Sequence, residues 1–389
     1  MNNSIKISDS SKISAWIFLF IFTILFMIFA VPMGLANAIN TMMNTAYRLL
    51  VDTCLYLMAI AVLVGALSSL FAEFGVVDLL NRLLSYFMKP LYGLPGAASL
   101  GIITTYFSDN PAILTLAKDT NFRKYFKTYQ IPALTNLGTA FGMGLIVSTF
   151  VAGLNFGADV KPWLVVLCGN LGAVAGSILG VRLMLKSTIQ YYGEDAAPVI
   201  NSEEKVAEKE NISKGISMRV LESIMSGGEK GVELGLGIIP GVVVICTIVM
   251  MLTCGTDASG VYTGNAYEGI ALIPVISRKL EFILTPLFGF SSPEDISVPI
   301  TALGSAGAAL GMIPKLVQEG TATPGDVAVF TAMCMCWSGY LSTHVSMMDV
   351  LGCREFTGKA ILYHTISGLF AGVFAHWLYV LLSLIFRVC

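Results

Sequence analysis

Apolar residues fill this chain in blocks too long for a soluble core, and the polar residues that interrupt them fall at a few fixed places. Ser14–Ala36 is a mostly apolar run of about 23 residues, long enough to cross a bilayer as a helix. Tyr47–Ala72, Gln130–Val151, Pro162–Leu185, Gly231–Thr253, Val327–Val350 and Ile361–Ile385 repeat that pattern, so seven full spans are predicted. Val77–Tyr92 is different. Leu79, Leu80, Leu83, Leu84 and Phe87 recur there at helical spacing, with Asp78, Arg82, Ser85 and Lys89 between them, which predicts an amphipathic helix in the interface. Ile273–Phe290 has the same character, with Arg278, Lys279 and Glu281. Each amphipathic stretch precedes an apolar segment broken in its middle. Ala97–Asp119 breaks at Ser108-Asp109-Asn110-Pro111, and Ile296–Gln318 breaks at Gly304-Ser305-Ala306-Gly307. Proline interrupts the helical ladder, and a carboxylate inside an apolar run is costly unless it faces a cavity or a partner.

Lysine and arginine set the orientation. Arg123, Lys124 and Lys127 place the loop after the first broken segment in the cytoplasm, and Arg82 and Lys89 place its start there too. A segment with both ends on one side enters and returns, so a re-entrant hairpin with Asp109 and Asn110 at its tip is expected, eased by Gly101 and Pro111. The N-terminus is then cytoplasmic, as is the polar linker Gly193–Gly215. The uncharged loop Asp257–Gly264 lies outside, and the second hairpin enters from that side. Arg278, Lys279 and Lys315 run against the charge rule there.

The two broken segments belong to a repeat. At an offset of 196, Pro90, Leu91, Gly93, Thr105 and Ala112 match Pro286, Leu287, Gly289, Thr301 and Ala308. Further upstream Val51-Asp52 pairs with Val232-Glu233. The order of span, amphipathic helix, broken hairpin, span and span occurs twice, starting from opposite sides. This is an inverted-topology repeat, in which paired helix breaks point to a binding site. The division is a polar tail with a first span (1–46), repeat 1 (47–186), a cytoplasmic linker (187–228) and repeat 2 (229–389). The fold class expected is an all-α polytopic membrane protein with two re-entrant hairpins and two interfacial amphipathic helices.

This arrangement, and the stretch Leu84–Gly93 followed by a broken hairpin, resembles the nucleoside-recognition or gate domain. Concentrative nucleoside transporters, the membrane part of bacterial ferrous-iron transporters and spore-maturation-type proteins share that domain. The resemblance covers roughly residues 47–350. It implies a substrate site between the hairpin tips and the spans that follow, coupling to sodium or protons, and a trimer; a dimer is also open.

Within this frame the candidate binding residues are Ser108, Asp109, Asn110 and Thr105 at the first hairpin, and Thr301 and Ser305 at the second. Asn136, Ser338 and His344 join them from the spans after each hairpin. Free carbonyls and half-helix ends at such breaks hold cations or anionic groups. Asp52 and Glu233 lie near span ends, where an interfacial role is expected. Met333-Cys334-Met335-Cys336 with His344 forms a soft-ligand cluster that suits copper, zinc or iron, although Cys-x-Cys on a helix points its sulfurs apart.

Composition narrows the class. The 389 residues are 55% hydrophobic and 12% charged, against about a quarter charged in soluble domains. A net charge of −2 leaves no footprint for nucleic acid. No phosphate-cradling loop, metalloprotease helix or serine elbow is present, so no enzyme and no cofactor are expected. The leading reading is a secondary transporter of a small polar metabolite, nucleoside- or base-like, in the cell membrane and coupled to Na+ or H+. A membrane assembly subunit working with a partner and a metal-ion permease stay open beside it.

Overall fold

The structure is a computed structural model that describes residues 9–110, 112–113, 116, 120–157, 160–194, 215–256 and 260–386. In chain order its main helices are α1 (Asp9–Met33), α2 (Leu35–Glu73), α3 (Val76–Phe87), α4 (Ala98–Phe107), α5 (Ala133–Thr139), α6 (Gly144–Ala152) and α7 (Pro162–Tyr192). Then follow α8 (Ile216–Thr253), α9 (Leu272–Phe288), α10 (Ser297–Ala302), α11 (Ala306–Gln318), α12 (Pro324–Cys336), α13 (Tyr340–Val350) and α14 (Thr357–Phe386). Six helical segments among the described residues are long and apolar enough to cross a membrane. The chain is an all-α polytopic membrane protein.

α2 and α8 form an antiparallel pair. Gly65 lies against Gly227, Ala61 against Gly231 and Met58 against Gly235, and Arg219 closes one end on Glu73 at 2.6 Å. Glycines one turn apart bring the two backbones together: a Cβ at Gly231 would sit 2.4 Å from the Ala61 carbonyl oxygen. Each helix carries one π-helical turn, Leu49–Cys54 in α2 and Gly241–Cys246 in α8. Pro240, which lacks an N–H, immediately precedes the second. α7 and α14 form the other long pair, with Gly172 and Gly176 on Ala371 and Ser367. The Ser367 hydroxyl donates to the Gly176 carbonyl at 2.5 Å.

α2 starts earlier than the predicted span at Tyr47. Its 39 residues reach about 58 Å, well beyond an apolar layer of about 30 Å. The excess is the amphipathic segment Leu35–Arg48, whose polar face binds the loop before α9. Asn37 and Asn44 donate to the carbonyls of Tyr262 (3.0 Å) and Gly264 (2.9 Å), and the Tyr267 N–H donates to Thr45 Oγ1 (2.9 Å). Glu268 closes this loop on itself by accepting from the Thr263 and Gly264 N–H groups. Burial alone would raise the Glu268 carboxyl, but these hydrogen bonds outweigh it and hold the group below its usual range.

The 196-residue repeat extends to backbone conformation, at identical residues and at others. α3 runs through a wider turn to Gly93 at φ +73°, and α9 ends at Gly289 at φ +68°. Gln130 and Asp326 each close a capping box, on Lys127 and Thr323. The α5–α6 interruption turns at Met143 (φ +55°) and the α12–α13 interruption at Gly339 (φ +58°). Thus Gln130–Val151 and Val327–Val350, predicted as continuous spans, are both pairs of helices. Gly101 is not a turn residue. It lies inside α4, where the second arm's Ile113 presses so close that a Cβ would meet it at 2.9 Å. Lys315, out of place by the charge rule, is held by the Tyr267 ring (4.8 Å), Cys254 Sγ (3.3 Å) and Glu319 (3.8 Å). Pro111, most of the polar linker and residues 257–259 lie outside the described residues.

Candidate functional site

Four interruptions meet at one place. The backbone leaves α4 at Ser108, and the next two residues form the first tip. Asn110 is buried there and its Nδ2 donates to the Ser338 carbonyl, in the α12–α13 interruption. Gly142, in the α5–α6 interruption, completes the contact. A Cβ on it would lie 2.5 Å from Asn110 Oδ1 and 2.7 Å from Ser338 Cβ. Gly142 and Ser338 are repeat equivalents (338 − 142 = 196), so they face each other across the pseudo-symmetry.

The second tip reaches the same interruption. The Gly339 N–H donates to the Ala302 carbonyl at 3.4 Å. Ser305 caps α11 by accepting from the Ala308 N–H at 3.3 Å, and its hydroxyl lies against Gly241 at the π-helical turn of α8. Asp109, the repeat equivalent of Ser305, holds the corresponding place in the first tip, where its carbonyl accepts from the Ala112 N–H at 2.9 Å. Residues 338–339 therefore tie both tips to the same broken helix, one through a carbonyl and the other through an N–H.

A buried polar layer lies beside the tips, where α5 meets α13 and α14. Asn136 Nδ2 donates to the Ala360 carbonyl at 2.9 Å. His364 Nε2 donates to the Cys336 carbonyl at 2.5 Å. His344 Nδ1 lies 2.9 Å from the Tyr340 carbonyl, which assigns the hydrogen to Nδ1 and leaves Nε2 a bare acceptor. The two imidazole rings are 4.6 Å apart, with the Tyr340 ring 4.9 Å from His364. Among the described residues around the tips, the buried atoms without a protein partner are Asp109 Oδ1, Asn110 Oδ1, Thr135 Oγ1, Asn136 Oδ1, Trp337 Nε1 and His344 Nε2. Most are acceptors. Such atoms are expensive when left alone, and acceptors of this kind can take a cation or the N–H and O–H groups of a ligand.

The other predicted residues stand as follows. Thr105 and Thr301 hydroxyls return to the carbonyls of Gly101 (2.8 Å) and Ser297 (2.7 Å), and Thr301 Oγ1 also lies 3.3 Å from Met312 Sδ of α11. Ser338 contributes its carbonyl to the first tip. Asp52 is exposed and paired with Arg48 at 3.6 Å, and Glu233 is exposed on α8. Cys334 and Cys336 are buried free thiols, and no group of three or more metal-ligating side chains occurs among the described residues. Nothing in the sequence marks His364, which sits in a long apolar run with no break beside it. Its proximity to His344 arises only when α13 folds back along α14.

Paired helix breaks meeting at paired broken helices fit the class: an all-α polytopic membrane protein. No family model matches the chain, and neither does any curated protein sequence. Solved structures do match in fold. The chain is similar to the concentrative nucleoside transporter CNTnw in an inward-facing substrate-bound state, at 15% identity and TM-score 0.53, over 85% of this chain and 75% of that one. It is also similar to a substituted CNTnw in an outward-facing state, at 16% identity and TM-score 0.54, over 85% and 76%.

Proposed function

We propose that this protein is a secondary transporter that carries a small polar metabolite, nucleoside- or base-like, coupled to a sodium or proton gradient. The observation that carries this reading is the convergence of both hairpin tips on residues 338–339, next to buried acceptors that no protein group satisfies. Moving either hairpin breaks a hydrogen bond at that interruption, so exposure of the site to one side is linked to its closure on the other. Asp109 and Asn110 hold the coupling cation, and Asn136 and His344 offer acceptors to the substrate. The fold likeness to CNTnw, solved in both inward- and outward-facing states, supports such a cycle.

The test is uptake into proteoliposomes of labelled nucleosides and bases under imposed sodium or proton gradients. Asp109→Asn is expected to abolish gradient-driven uptake with an unchanged melting temperature. Full uptake with unaltered ion dependence in that variant would overturn the assignment of Asp109. Absence of uptake by the unmodified protein, with no ligand shifting its melting temperature, would overturn the transporter reading, since a ligand of the native state raises apparent stability.

A further inference from the structure

Repeat 2 departs from repeat 1 at the root of its hairpin. Asp295 precedes α10 and Asp326 lies in the first turn of α12; both are buried, at 0% and 1% exposure. They converge on one short stretch of backbone. The Ser292 N–H donates to Asp295 Oδ2 at 2.9 Å, and the Ser291 N–H donates to Asp326 Oδ1 at 3.2 Å. Asp295 Oδ1 has no partner, and neither acid forms an ion pair among the described residues.

Capping does not require this charge. The repeat equivalents are Ser99 (295 − 99 = 196) and Gln130 (326 − 130 = 196), both neutral. Gln130 closes its capping box through Oε1 on the Lys127 N–H at 3.0 Å, as Asp326 does on the Thr323 N–H at 2.7 Å. A neutral side chain therefore performs the local task in one half, while the other half buries two carboxyl groups at the same two positions.

We propose that Asp295 and Asp326 form a proton-binding site at the root of the second hairpin, the two carboxyl groups retaining one proton at neutral pH. A hydroxyl on Asp295 Oδ1 turns an orphaned acceptor into a donor and removes one of two like charges held in a buried place. Among the described residues no lysine or arginine pairs with either acid. Glu294 lies in the same turn, and Glu281 of α9 lines a small cavity of about 30 Å³ with Ser291 and Ser292. From α14, His376 and Tyr379 bear on Asp326. Burial first, and then the charge of Asp326, push the Asp295 carboxyl up to about 8; burial also raises Asp326. Loss of the proton puts two like charges on the hairpin root and on α12 and drives them apart. The site thus makes the hairpin's attachment sensitive to pH, whatever solute the protein carries.

Between the ordinary carboxyl value of 3.8 and about 8 the folded chain holds a proton that the unfolded chain has released, so stability falls as pH rises through that window. Purified full-length protein is melted across this range, and the protonated-carboxyl C=O stretch is followed by infrared spectroscopy. The unmodified protein is expected to lose melting temperature as pH rises to about 8 and to lose the carboxyl band with it. Asp295→Asn, which mimics the protonated form, is expected to lose the part of the slope and of the band that titrates near pH 8, leaving only what buried Asp326 contributes at lower pH, whereas Glu281→Gln keeps both. Asp326→Asn removes the repulsion and is expected to move the band's loss to lower pH, which tests the site should Asp295→Asn fail to fold. Slope and band unchanged in both aspartate variants, or no carboxyl band in the unmodified protein, would overturn the proposal.

Discussion

Asn110→Asp keeps the size of the side chain at the first tip and removes its donor. The Ser338 carbonyl then loses the Asn110 N–H and faces a carboxylate oxygen in a buried place. A buried acceptor left unsatisfied costs about 1–3 kcal/mol. If the tie holds the tip docked, the undocked population rises by a factor of about 5 to 150. Hydrogen exchange on the full-length protein in nanodiscs reads this directly, in peptides spanning Trp337–Leu341, which hold the interruption that the tip docks on. Exchange there is expected to accelerate by that factor in Asn110→Asp. Ser338→Ala is the informative control. The bond uses the Ser338 backbone, so removing the hydroxyl should leave exchange near that of the unmodified protein. Equal acceleration in both variants, or none in Asn110→Asp, would refute the tie as the link between hairpin and broken helix.

Two further perturbations test the frame around the site. Gly231→Leu places a side chain where even a Cβ would lie 2.4 Å from the Ala61 carbonyl, and it should destabilise the α2–α8 pair by about 1–3 kcal/mol, seen as a lower melting temperature. Gly237→Leu, with open space around it, should melt like the unmodified protein. Lys315→Met removes the cation from the Tyr267 ring, a contact worth about 0.5–1 kcal/mol, and faster limited proteolysis of the loop before α9 is the expected result.

Most of the architecture was legible along the chain because its cause is local. A run of about 20 apolar residues in lipid must satisfy its own backbone as a helix, so the spans announce themselves by composition. The broken segments announce themselves too, by polar or small residues inside such runs. The repeat was visible in a handful of identities and in the order of elements. Its closest correspondences are conformational: the paired positive-φ residues Gly93 and Gly289, and Met143 and Gly339. Met143 and Gly339 share a backbone turn but not a residue type, so no identity pointed to the breaks in the spans that carry them.

The assignment of individual groups to the site depended on contacts across the chain. Asn110 and Ser338 are 228 positions apart, and Thr139 and His364 are 225 apart. Nothing near either residue encodes such a meeting. It follows from the packing of α5, α13 and α14, which glycines such as Gly142 permit. The same packing decided that Ser338 acts through its carbonyl and that the Thr105 and Thr301 hydroxyls are already used. It also left Asp295 buried, its carboxyl on the same short stretch of backbone as that of Asp326. Local hydrophobic pattern and backbone propensity set the helices and their breaks. Which polar atoms end up paired and which stay open was decided only when distant segments were brought together, because desolvation acts on the assembled neighbourhood and not on the sequence around each residue.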